Sequence, residues 1–204
     1  MTGRGWWREN RVWLPGVPLA LAALLAASSY NVRERWYDRG LHHELAAASP
    51  GERVEVTDDY DDAVGPTSRT FSVRLEDLHE APTYPFDLED GPPPPGTRVL
   101  RAVLGWAADP DQVLRGCTVA LVDTEGRRYE RVDSFTQGNM CVPSGHEGPS
   151  APALEGDVRG TVEPGTARPP TWTTRPSFVV PDGVRITRVL VWWERPDYVA
   201  LSAS

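Results

Sequence analysis

Two hydrophobic patterns follow one another along this chain. The first is a continuous run. Val12 to Val32 carries no charged side chain, and its centre, Leu19 to Ala27, is apolar all round a helix. Lipid demands that pattern, because each backbone group must be satisfied within the segment. At 1.5 Å per residue the run spans about 31 Å, close to the hydrocarbon thickness of roughly 30 Å. Trp6, Trp7 and Trp13 precede it and Tyr30, Trp36 and Tyr37 follow it, at the depths where amphipathic rings favour headgroups. The run predicts a transmembrane helix over 12–32. Arg4, Arg8 and Arg11 then place a cytoplasmic tail at 1–11 and the carboxyl part outside. A cleaved signal peptide is the competing reading, since the basic start and the small residues Ala27-Ser28-Ser29 fit a cleavage site.

After the run, Trp36, Leu41, Leu45 and Ala48 recur at helical spacing, and Ser49-Pro50-Gly51 breaks it. This predicts a juxtamembrane helical stalk over 33–50.

From residue 51 to 204 the period falls to two. Arg53–Thr57, Arg69–Leu75 and Arg98–Ala108 alternate, with Phe71, Val73 and Leu75 on one face and Leu100, Ala102, Leu104 and Trp106 on another. Cys117–Val122, the turn Asp123-Thr-Glu-Gly126 and Arg127–Val132 read as a β-hairpin. Ser177–Val180, Val184–Glu194 and Tyr198–Leu201 complete the series. Arg188–Trp193 is apolar on both faces, the mark of a central strand covered on both sides. About seven strands with turn breaks predict an all-β outer domain, an antiparallel immunoglobulin-like β-sandwich. Asp90–Gly96, with four consecutive prolines, and Pro143–Pro176 read as irregular connections over its surface.

Composition sharpens the setting. Proline (20) and glycine (18) favour turns over long helices. All 21 basic residues are arginine, and isoleucine occurs once, a codon bias of high-GC bacterial genomes. The net charge of −8 divides into +3 over residues 1–39 and about −11 beyond, so the outer part repels phosphate backbones and nucleic acid is not an expected partner. The two cysteines, Cys117 and Cys141, would meet an oxidising compartment and pair.

Candidate chemistry is sparse. His42-His43-Glu44 resembles a metal-binding fragment, but neighbours on a helix point about 100° apart. Asp58-Asp-Tyr-Asp-Asp62 lacks the calcium-loop pattern and reads as a solvated acidic turn. Ser144-Gly-His146-Glu147 lacks the distant partners of a triad. No catalytic, cofactor-binding or metal-ligating residue is assigned, no cofactor is expected, and the chain is read as a non-enzyme. Trp172 and Trp193 are kept as possible contacts for a ligand or partner, although packing on the sandwich is the commoner role for Trp172; Pro92–Pro95 could present a polyproline II face to a partner, although a stiff surface connection is the commoner reading.

The hairpin Cys117–Tyr129 and the strand entered through Phe178-Val-Val-Pro-Asp-Gly183 resemble those of actinobacterial single-pass membrane-anchored proteins of unknown function with an immunoglobulin-like outer domain. The likeness is structural, covers residues 52–202 in outline and implies a fold and a location. Together these features predict a membrane-anchored extracytoplasmic accessory or protein-binding module of the cell envelope. It would be held in the lipid bilayer through residues 12–32 and would contact another envelope protein. A polysaccharide or small-ligand binder using exposed aromatics is the alternative, and an enzyme of unfamiliar type ranks behind both.

Overall fold

The computed structural model describes residues 16–32, 40–62, 65–86, 89–131, 140–150 and 165–203. Among the described residues one helix, α1 (Gly16–Val32), precedes twelve strands. Its 17 residues are uncharged, and 12–15 of the expected span lie outside the described residues. Among the described residues no helix is long and apolar enough to cross a membrane.

The strands form a two-layer β-sandwich. The first layer contains β1 (His43–Ala48), β7 (Thr118–Asp123), β8 (Arg128–Glu130), β11 (Ile186–Trp192) and β12 (Asp197–Ser202), in the order β1-β12-β11-β7-β8. The second contains β2 (Val54–Asp61), β3 (Pro66–Ala81), β6 (Thr97–Ala108), β9 (Thr171–Thr174) and β10 (Ser177–Pro181). It runs β10-β6-β3-β2, with β9 also on β6. A small separate ribbon joins β4 (Tyr84–Phe86) to β5 (Glu89–Gly91).

Two expectations are corrected here. The stalk over 33–50 is not helical at its carboxyl end, because His43–Ala48 is β1 and pairs in parallel with β12. Helical spacing of Leu41, Leu45 and Ala48 misled because β1 is an edge strand of small residues whose burial is set by its neighbour β12. The domain therefore begins about eight residues before residue 51, and the sandwich is antiparallel except at this pair. The stretch Pro143–Pro176 is likewise not wholly irregular, since it contains β9.

Strand β6 is the spine of the second layer. Along one side it pairs with β3 from Phe71↔Ala108 to Ala81↔Val99. Along the other it pairs first with β10 and then with β9. The break between β9 and β10 falls at Arg175-Pro176. Proline has no N–H for the ladder, but its carbonyl still accepts from Ala102 N at 3.0 Å.

The main core lies between the layers. Phe71, Val73, Leu75, Leu104 and Trp106 from one sheet meet Val119, Leu121, Val189, Val191, Val199 and Leu201 from the other. Strand β11 lies between β12 and β7, as its sequence predicts. Val189 and Val191 face the core, while Leu190 and Trp192 join a second cluster with Ala120, Val122 and Ala200.

The disulfide between Cys117 and Cys141 forms, with Cα atoms 6.1 Å apart and 24 residues of separation. It ties the start of β7 to the segment at 140–150, and both cysteines are buried.

A chain that starts at Gly51 lacks β1 and leaves the edge of β12 bare. Compared with a chain that starts at Gly40, it loses the burial of Ala48 and part of Leu45, about 2–3 kcal/mol. Its thermal midpoint is expected to fall by about 5–10 °C, read by circular dichroism. Equal midpoints would show that β1 adds nothing to the fold.

Candidate functional site: the aromatic and charged end of the sandwich

The two sheets bring their most unusual side chains to one end, where β3 and β12 begin and β2, β6 and β11 finish. Alternation on β2 turns Val56, Asp58 and Tyr60 inward and Asp59 and Asp61 outward. On β3 the inward series is Arg69, Phe71, Val73 and Leu75. Asp58 and Arg69 stand directly opposite each other in the β2–β3 register, so a cross-strand ion pair occupies positions that the core pattern would give to apolar residues.

Arg69 has 3% of its side chain exposed and Asp58 has 8%, with Arg69 Nε 2.9 Å from Asp58 Oδ2. The other end of the guanidinium donates to Glu194 at 3.2 Å. Its carbon lies 3.7 Å from the centre of the Tyr60 ring and 5.0 Å from that of Trp193. Burial pushes the Asp58 carboxyl above its usual range; Arg69 works against that shift, and Asp197 and Glu194 reinforce it. Burial raises the Tyr60 phenol as well, so it stays protonated at neutral pH. This cluster binds charge and stacks rings.

Beside it lies an aromatic group on both sheets. Trp106 stacks parallel to Trp172 at 6.3 Å and meets Phe71 at 6.1 Å and Trp193 edge-on at 6.5 Å. Each indole N–H has an acceptor: Thr174 Oγ1 for Trp106, the Cys141 carbonyl for Trp172 and the Leu114 carbonyl for Trp193. Trp172 is buried and Trp193 half-buried. Neither forms the exposed platform expected of a sugar binder. Alternation along β9 and the end of β11 turns both rings into the sandwich, and their polar edges fasten loops.

A second arginine closes the far side of the group. Arg168 is buried, and its guanidinium carbon lies 4.8 Å from the Trp172 ring. It donates to the carbonyls of Asp109 and Gln112, each at 2.8 Å, and of Glu147 at 3.2 Å. Burial draws its pKa below the usual guanidinium value while Asp109 and Asp111 oppose the shift. It serves as an internal cation that gathers three loops.

The other sequence candidates do not converge. His43 lies on a strand and pairs with Asp197 at 2.8 Å at the surface. His146 faces the Ala167 carbonyl at 3.3 Å, and Glu147 accepts from Gly145 N in its own turn. Among the described residues no group of three or more His, Cys, Asp or Glu could hold a metal ion. The acidic run is a strand end and not a free turn. Asp59, Tyr60, Asp61, Pro66, Thr67 and Ser68 line an open depression of about 590 Å³ there.

At the opposite end of the sandwich, Asp123 organises the β7–β8 hairpin. Its carboxylate accepts from Glu125 N, Arg127 N, Arg127 Nε and Tyr129 Oη at 2.7–2.9 Å, and Gly126 takes the positive φ of 79° that the turn needs. Burial alone would raise its pKa, but the four hydrogen bonds win and hold it well below the usual carboxylate range.

No family model matches the chain, and no curated protein matches it. Among solved structures, an uncharacterised β-sandwich protein from Clostridium difficile 630 is similar over 80% of this chain and 97% of that one. The identity is 9% and the TM-score 0.39, a likeness too slight to carry an argument. The sandwich assignment rests on the strand pairing described above.

Two outcomes follow. Arg69→Met strands the buried Asp58 carboxyl, and Asp58→Leu leaves Arg69 with the exposed Glu194 alone; each is expected to cost about 3–5 kcal/mol in urea denaturation. The double variant is expected to cost less than either single one, and simple additivity would refute the pairing. The second concerns acid. Asp123 has a folded pKa below its unfolded value of about 3.9, so its stabilisation is present above that value and is lost as pH falls through the folded one. Asp123→Asn is therefore expected to narrow the drop in thermal midpoint between pH 7 and pH 3. An unchanged drop would show that the hairpin carboxylate has no part in it.

Proposed function

We propose that the chain is a membrane-tethered, extracytoplasmic accessory module of the bacterial cell envelope that works by binding a protein partner and not by catalysis. The observation that carries this reading is α1. Val17, Leu19, Leu21, Leu24 and Leu25 are each more than half exposed, and none of residues 16–27 belongs to the three apolar clusters of the sandwich. A helix that is apolar all round and contributes to no core needs an apolar surrounding of another kind. Lipid supplies it, with Pro15 and Trp13 extending the uncharged run toward the span of 12–32.

The disulfide supports an oxidising compartment for the sandwich, and Arg4, Arg8 and Arg11 support an inward amino terminus. We also read the sandwich as immunoglobulin-like in architecture, with β7, β11 and β12 forming a central antiparallel group that β8 widens at its edge. It departs from antibody domains in its disulfide, which joins a strand start to a loop and does not cross from sheet to sheet. The buried-charge end described above rigidifies the scaffold, and its surface is left to recognition.

The test is fractionation of bacteria that express the full chain. The protein is expected in the membrane pellet, resistant to carbonate extraction, with its sandwich open to protease from outside. Leu21→Arg with Leu24→Arg adds about 2.5–3.5 kcal/mol of insertion cost per charge and is expected to move most of it out of that pellet. Full-length wild-type protein in the soluble cytosol with free thiols would overturn the reading.

A further inference from the structure

Partner recognition leaves open which part of the surface is read, and this question presupposes the binding-module reading above. We propose that Pro92–Pro95 is a mounted polyproline II ligand for a partner protein with an aromatic-lined groove.

The conformation follows from the residues. Each proline fixes its own φ near −65°, and Pro92, Pro93 and Pro94 each precede another proline, which excludes the helical region for them. Three consecutive residues are thereby confined to the extended left-handed helix. The segment then turns. Thr97 N donates to the Pro94 carbonyl at 3.1 Å, Thr97 Oγ1 donates to the same oxygen at 2.6 Å, and Gly96 has φ of 77°. Proline at the second place and glycine at the third define a type II turn, whose second residue keeps the same extended conformation. Pro95 therefore continues the polyproline geometry up to the turn.

Exposure shows which edge is offered. Pro92, Pro94 and Pro95 are exposed, and Pro93 is half-buried. The polyproline helix repeats every three residues, so Pro92 and Pro95 share one edge about 9 Å apart. That is the spacing of the two prolines in a P-x-x-P ligand, which aromatic grooves take in adjacent pockets. Among the described residues no hydrogen bond engages the carbonyls of Pro92 and Pro93, which leaves them open to donors from a partner.

The mounting is rigid and well placed. Thr97 opens β6, the central strand of its sheet, and Asp182 N donates to the Gly96 carbonyl at 3.0 Å. The prolines thus enter a complex already ordered, and little further entropy is lost on binding. The start of β6 lies beside the start of β11, where Arg98 reaches the Val184 carbonyl. The sandwich begins at the opposite end, where His42 N and His43 N donate to the Pro196 carbonyl after β11. The tetraproline therefore stands on the end of the sandwich opposite to the one where β1 begins.

The experiment places a photo-crosslinking side chain at Asp182, beside the tetraproline, and separately at Asp61, at the other end, in the full chain in membranes. A discrete adduct is expected from position 182. It should fall at least tenfold in a Pro92→Ala, Pro95→Ala background and also when excess decaproline peptide is added to the wild type. An adduct from 182 that survives either treatment overturns the proposal, as does the absence of any adduct from 182. In the second case an adduct from 61 leaves a binding module that reads another surface, and silence at both positions removes the binding reading as well. The double variant must keep the wild-type thermal midpoint; if it does not, Pro92→Ala alone, with the decaproline competition, decides the matter.

Discussion

Alternation between two facing sheets is the constraint on which the rest of this protein depends. A one-residue slip of any strand would exchange its inward and outward side chains, so a single register places Phe71, Val73 and Leu75 of β3 against Val189 and Val191 of β11. The same register turns Arg69 and Asp58 inward, because they lie two residues from Phe71 and Val56 on the same faces. The buried ion pair is thus a consequence of strand phase. The fold tolerates it because Asp58, Glu194, Tyr60 and Trp193 surround the guanidinium with opposite charge and ring faces.

The two ends of the sandwich differ in what they are built to do. At the end where the chain enters, two buried arginines bracket four aromatic rings, and every indole N–H is tied to a loop or a strand. The buried part of that end is packed and hydrogen-bonded, while its rim keeps the open depression beside Asp59 and Asp61. The other end carries the short turns, the Asp123 hairpin and the tetraproline. Recognition surfaces on β-sandwiches gather on connections held by a stable scaffold, and both ends of this one carry such connections.

Much of this was legible from residue order, because it depends on local periodicity. The alternating runs of β2, β3, β6 and β10 are visible without a structure, and so is the β7–β8 hairpin with Gly126 at its turn. The continuous apolar run of β11 marks a strand covered on two faces, and it lies between β12 and β7 as that pattern requires. The cysteine pair is expected from the presence of two cysteines alone, and it forms. The apolar composition of α1 is likewise a property of consecutive residues.

What tertiary structure alone decided was every feature whose partner lies far along the chain. Strand β1 resembles a helix until Ala47 and Ala48 are set against Ala200 and Leu201, more than 150 residues later. Asp58 reads as one of five solvated residues in an acidic run until the β2–β3 register sets it opposite Arg69. The partners of Trp172 and Trp193 are not readable from neighbouring residues: Trp106 lies parallel to Trp172, and Phe71 tilts against Trp193. Arg168 shows no local signal, because the carbonyls that hold it come from residues 109, 112 and 147. Neighbours in sequence fix a strand's period and a turn's handedness by short-range sterics. Burial of a charge or a ring depends on the surface that the rest of the chain brings to it, and that surface exists only once the two sheets have met.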